Sequence, residues 1–185
     1  MPHVSVPHHL PGIVSLFAFR PEHAGALNGL AQTLLRGDSS LTPGERELIA
    51  THVSGLNKTA FCQASHGAAA TSLLGDRPRV QALMDQGLAA AEEPKLKALL
   101  AIAEAVTISP QGVSAELVAA AKALGADEVA IHDAVLIAAA FCMFNRYVDG
   151  LATVCPPATD VAAYAEMGDM LATRGYVGAS EAVTA

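Results

Sequence analysis

A helix start is written at Thr42-Pro43-Gly44-Glu45 more firmly than any other local structure in the chain. A threonine hydroxyl can accept from the free backbone N–H groups of a first turn. Proline suits the first helical position, and a glutamate three residues after the cap can close a capping box. The helix so opened carries Leu48, Ile49, His52 and Val53 and is predicted to run to Gly55 or Leu56. Asn57-Lys58 supplies a turn, Thr59 can cap a second helix, and Gly75 after Leu74 ends it. A turn that short leaves the two helices antiparallel, so this stretch is committed to a helical hairpin.

The same punctuation recurs on either side. Residues 1–12 hold three prolines and no usable period, and read as an extended arm. A short helix is expected over Ile13–Phe19, and another over Pro21–Leu35 with Leu27, Leu30 and Leu34 on one stripe. Asp76 can cap a helix to about Gln86; Glu92–Ile108 and a segment from Ser114 to near Gly125 follow. Ala126–Val154, capped by Asp127, is the longest predicted helix and stops at Cys155-Pro156-Pro157. A last helix spans Thr159–Ala172, leaving 173–185 as a frayed tail. No segment alternates as a strand would, and alanine, the best helix former, dominates the apolar residues. The expected architecture is one all-α domain over 1–185, a bundle built on helical hairpins.

Composition removes several functions. A net charge of -7, an aromatic share of 4% and no Trp argue against nucleic acid, which needs clustered cations or stacking platforms. The longest apolar stretch, Ala134–Phe144, is well short of the roughly 18 residues a membrane span requires. The N-terminus shows no basic region leading into an apolar one, and three cysteines do not suggest a secreted disulfide framework. A cytoplasmic protein is expected, with no membrane partner.

Chemistry concentrates around Cys62. If Thr59 caps the second helix, Cys62 lies in its first turn, where unpaired N–H groups and the helix dipole favour a thiolate. His66 follows four residues on, over the same face, and Glu47 on the preceding helix is placed to orient it. Nucleophile, base and orienter make a reactive-thiol arrangement. The plainer alternative is a buried, inert cysteine. Around these three, Phe61, His52, Cys142, Asn145, Arg146 and Asp149 are candidate pocket residues. Arg146 either binds an anionic group or pairs with Asp149 at the helix end. Cys142 sits in an apolar run and reads as a core thiol, whereas Cys155, beside two prolines, reads as exposed. His3, His8 and His9 lack an accompanying Cys or carboxylate, and no ligand spacing surrounds His66, so neither a metal nor a cofactor is expected. No glycine-rich phosphate loop is present either.

The stretch LTPGERELIATHVSGLN, with FCQASHGAAA after it, resembles the alkylhydroperoxidase D-like, or carboxymuconolactone decarboxylase-like, superfamily. LPGIVSLFAFRPE and HDAVLIAAAFCMFNRYVDGL resemble its branch of uncharacterised peroxidase-related proteins, so the resemblance spans most of residues 10–155. That family's motif has a Glu, then Cys-x-x-Cys, then a His four after the second Cys. Glu47, Cys62 and His66 match the Glu, the second Cys and the His; Thr59 stands where the first Cys belongs. The resemblance implies a peroxidase in which the second Cys attacks a hydroperoxide, the first Cys closes a disulfide, and an external thiol reduces it. With Thr59 in place of the resolving Cys, the expectation is a one-cysteine peroxidase whose Cys62 sulfenic acid is reduced by an outside thiol. Two alternatives stay open: a decarboxylase-like lyase that needs no cysteine, and a non-catalytic scaffold or thiol sensor. Relatives also imply a homo-oligomer, a dimer, trimer or hexamer, acting on a small molecule.

Overall fold

The computed structural model describes residues 1–157 and 159–184, with side chains as far as Val177. Its helices are α1 (Gly12–Phe19), α2 (Pro21–Arg36), α3 (Pro43–Leu56), α4 (Ala60–Leu74), α5 (Arg77–Gln86), α6 (Pro94–Ile108), α7 (Ala115–Ala123), α8 (Glu128–Gly150) and α9 (Val161–Thr184). A 3-10 turn, Gly87–Ala90, leads from α5 towards α6. Among the described residues there is no strand. The molecule is all-α.

The capping box forms as its residues dictate. Thr42 Oγ1 accepts from the Glu45 N–H at 3.2 Å, and the Thr42 N–H donates to Glu45 Oε2 at 2.7 Å, an arrangement worth about 1 kcal/mol. α3 is then the central helix, buried from Gly44 through Ser54. It forms the expected antiparallel hairpin with α4 and packs on its other sides against α8 and α6. α9 covers α4, with Gly168 pressed onto Ala68. By length and composition α8 is apolar enough to cross a membrane. Its face bearing Ala134, Ile137, Ala138, Phe141 and Phe144 is buried in the main core of this bundle instead.

Three local expectations are corrected. Thr59 stands at the N-cap of α4 but its side chain does not cap; the hydroxyl donates to Asp149 Oδ2 at 2.5 Å, a charged and stronger acceptor. α8 ends at Gly150 rather than Val154, because the chain reverses at Ala152, where φ is 50°. The segment expected to fray from residue 173 continues helical to a break at Gly175, whose φ of 66° and ψ of -165° suit only glycine. That break returns Tyr176 to the interior, with its N–H on Gln32 Oε1 at 2.7 Å.

Residues 1–11 run as an arm without regular structure across the end of α8, up to the start of α1 at Gly12. The His3 N–H donates to the Leu151 carbonyl at 3.0 Å, Val6 is buried, and the Gly12 N–H donates to the Val154 carbonyl at 2.9 Å.

Candidate active site

Glu47, midway along α3, has no exposure to solvent. A carboxylate there has to be satisfied by protein alone, and three side chains do so. His66 Nδ1 lies 2.7 Å from Oε2; Arg36 Nη2 is 2.7 Å and the Tyr176 hydroxyl 2.6 Å from Oε1. Burial by itself would raise the Glu47 carboxyl, but His66, Arg36 and Tyr176 together hold it below the usual carboxylate range. Glu47 is therefore ionised and can only accept. That places the hydrogen of His66 on Nδ1 and leaves Nε2 as the atom through which the ring takes or gives a proton.

Each partner is fixed in turn. The His66 ring meets Phe141 edge-on, centroids 4.6 Å apart, and lies nearly parallel to the Tyr176 ring at 6.0 Å. The Arg36 guanidinium sits 5.2 Å from the Tyr176 centroid and also donates to the Leu171 carbonyl at 3.1 Å. Burial pushes the Tyr176 phenol well above its ordinary value, followed by the effect of Glu47, so its hydroxyl remains a donor. Behind them Arg46, itself buried, donates to the Leu34 and Gly37 carbonyls at 3.0 and 2.9 Å and pins the end of α2 that presents Arg36.

Cys62 is in the first turn of α4 and 6% exposed. The expected thiolate does not follow. Burial pushes the thiol up to about 12; the Asn145 amide opposes it, and Asp149 and the Cys155 thiol add lesser effects in the same direction as burial. Cys62 is a protonated thiol at neutral pH.

Cys62 and His66 line the same cavity, of about 180 Å³, between α1, α2, α4, α8 and α9. Its wall is mostly hydrocarbon, with Ile13, Phe17, Phe61, Phe144, Met167 and Leu171 around the two reactive groups. Asn28 is buried in the same wall, and its amide has no protein partner among the described residues. Of the expected pocket residues, only Phe61 faces this space. His52 packs beside Glu104, its Nε2 3.4 Å from the carboxylate, with burial lowering the imidazole. Asn145 is buried beside Cys62, accepting from Asn57 at 2.9 Å and donating to Ser54 at 3.3 Å. Asn57 also approaches the Cys142 sulfur at 3.5 Å. Arg146 is exposed and folds back onto the Cys142 carbonyl at 2.8 Å. It forms neither a pocket wall nor the ion pair with Asp149, which serves Thr59 instead.

Arg36, Tyr176 and Asn28 were not foreseen. Asn28 belongs to no stripe or motif, and Arg36 lies just past the expected end of its helix at Leu35. For Tyr176 the available signal was Gly175-Tyr176, a glycine and an aromatic within a stretch of small and polar residues.

Residues 21–105 match the model of the carboxymuconolactone decarboxylase family, which takes in α2 through most of α6 and so Glu47, Cys62 and His66. No curated protein sequence matches the chain significantly. Among solved structures, an uncharacterized peroxidase-related protein from Silicibacter sp. TM1040 superposes with a TM-score of 0.74 at 26% identity, over 84% of this chain and 78% of that one. A second, from Ralstonia eutropha JMP134 and described as an alkylhydroperoxidase AhpD core, gives 0.76 at 24% identity, over 86% and 82%. A cysteine-to-alanine variant of the debrominase Bmp8, in complex with 2,3,4-tribromopyrrole, gives 0.70 at 20% identity, over 86% and 83%, and shares the fold.

Proposed function

We propose that this chain, which matches the carboxymuconolactone decarboxylase family model over residues 21–105 and shares the fold of peroxidase-related proteins, reduces a small hydroperoxide through Cys62. The observation that carries this is the opening of Cys62 and His66 into one apolar cavity while Glu47 holds the far side of the imidazole.

The resting thiol is protonated, so attack and deprotonation have to coincide. In the proposed step the Cys62 sulfur attacks the terminal peroxide oxygen, and its proton passes to His66 Nε2. The O–O bond breaks, and the departing alkoxide takes the proton back. The sum is Cys62 thiol plus ROOH giving Cys62 sulfenic acid plus ROH, with sulfur oxidised and the O–O bond reduced. Glu47 steadies the imidazolium while it carries the proton. An apolar cavity of this size favours an organic hydroperoxide, with Asn28 available to its oxygen end. Return to the thiol needs electrons from another thiol, and Thr59 cannot supply them.

Replacing Cys62 by Ser is expected to abolish peroxide turnover with an added thiol reductant, whereas an unchanged rate rules the reading out. One observation favours a second reading. A thiol held at about 12 suits a lyase in which Cys62 is only wall and His66 with Glu47 is the base. Survival of an activity in C62S that is lost in H66Q would select it. A third possibility, a scaffold or thiol sensor, corresponds to a single stoichiometric oxidation of Cys62 without turnover.

A further inference from the structure

The cysteine missing at position 59 has a counterpart elsewhere in the fold. Phe61, Cys62, Val148 and Tyr164 form a small apolar cluster apart from the main core, and Cys155 packs against it. The short segment carrying Cys155 is tied down on both flanks. The Val154 carbonyl accepts from the Gly12 N–H at 2.9 Å, and the Pro156 carbonyl accepts from the Tyr164 hydroxyl at 2.9 Å. Both anchors bear on the neighbour of Cys62. Gly12 is so close to Phe61 that a β-carbon there would overlap the ring, and the Tyr164 ring centroid is 6.2 Å from that of Phe61. Residues 154–156 are thereby held over the first turn of α4, where Cys62 lies.

We propose that Cys155 is the resolving cysteine of this protein. The inference rests on the hydroperoxide reading above. Once Cys62 is a sulfenic acid, the Cys155 sulfur attacks the Cys62 sulfur. An S–S bond forms, the S–O bond breaks, and the hydroxide leaves with the Cys155 proton as water. An external thiol then returns two electrons and two protons, freeing both cysteines.

Three further observations agree. Cys155 is half-buried, outside regular structure, and has only weak sulfur contacts, at 3.7 Å to the Thr153 carbonyl and 3.9 Å to its hydroxyl. Its sulfur therefore gives up little on turning towards Cys62, while the two flanking anchors keep the segment in place. The Cys155 thiol adds the smallest of the effects that raise the Cys62 thiol, behind burial and Asp149, and so lies within electrostatic reach of it. Cys142, by contrast, packs against the main core and faces Asn57.

The test is to treat wild type, C155S and C142S with one equivalent of cumene hydroperoxide and read Cys62 by dimedone trapping and peptide mass spectrometry. Circular dichroism melts check that the variants are folded. Wild type and C142S are expected to give a Cys62–Cys155 linked peptide and little trapped sulfenic acid. C155S is expected to accumulate about tenfold more dimedone adduct at Cys62. Wild type that retains Cys62 sulfenic or sulfinic acid beside a free Cys155 thiol overturns the inference and leaves the hydroperoxide reading standing. Cys62 oxidised no faster than a free thiol in all three proteins overturns both.

Discussion

At the scale of single residues, the site turns on one fully buried carboxylate with three side-chain donors. Removing its charge while keeping its shape, by Glu47→Gln, leaves Arg36 buried without its partner. The expected loss is about 3–5 kcal/mol of unfolding free energy, measured by urea denaturation, together with a fall in turnover. A wild-type-like denaturation curve would mean that Glu47 is not ionised in the fold. The same carboxylate sets a pH dependence. Its folded pKa is depressed, so the stability it contributes is fully present above the unfolded carboxyl value of about 4.3. That contribution is lost as pH falls through the lower, folded value. Acid unfolding should therefore steepen below about pH 4.3 in wild type and flatten in E47Q. Tyr176→Phe is the milder change: it removes one donor and is expected to cost about 1–2 kcal/mol. Its activity loss should appear in kcat more than in KM, because Tyr176 acts through Glu47 and His66.

Helices and their ends explain what could be read in advance and what could not. Starts and stops are local, so Thr42 with Glu45, Asp76, Ser114 and Asp127 announced their helices, and Gly75 ended one. Glu47, Cys62 and His66 were legible because one short turn joins the two helices that carry them. Tyr176 was not, because it reaches Glu47 from a helix far along the chain; Arg36 is close in sequence, but its meeting with Glu47 depends on how α2 packs on α3, which no local pattern encodes. The state of Cys62 was misread for a matter of magnitude. A helix N-terminus contributes about 0.3–1 kcal/mol towards a thiolate. Displacement from 9.0 to about 12 corresponds to about 4 kcal/mol against it, so burial prevails. The break in α9 is likewise a tertiary device. Gly175→Ala is expected to cost about 1–3 kcal/mol through its positive φ and to lower activity by displacing Tyr176; a neutral result in both would disconnect that break from the site.

For the whole molecule, α8 presents Val129, Leu136 and Met143 to solvent, 48%, 38% and 44% exposed, at spacings of seven residues along one line. An apolar stripe of that kind on the exposed side of α8 motivates the proposal that the protein assembles with a second copy. Sedimentation of wild type should show an oligomer that Leu136→Glu shifts towards monomer, and a monomeric wild type would contradict this. The cavity, closed by helices from both ends of the chain, is a property of the entire fold. A protonated thiol in an apolar space is inert towards adventitious reagents, and in the proposed reaction it becomes useful only when a substrate couples its deprotonation to His66.

That coupling is the central claim, and one comparison tests it directly: the rate at pH 7 of Cys62 oxidation by cumene hydroperoxide against the rate of Cys62 alkylation by iodoacetamide, each read by mass spectrometry. Alkylation should be far slower than for a free thiol and should rise about tenfold per pH unit with no plateau below about pH 10. Oxidation should be fast at pH 7 and fall by about 10²-fold or more in H66Q. Oxidation as slow as alkylation, and indifferent to His66, would contradict the account and leave Cys62 a buried thiol in the wall of a cavity built for other chemistry.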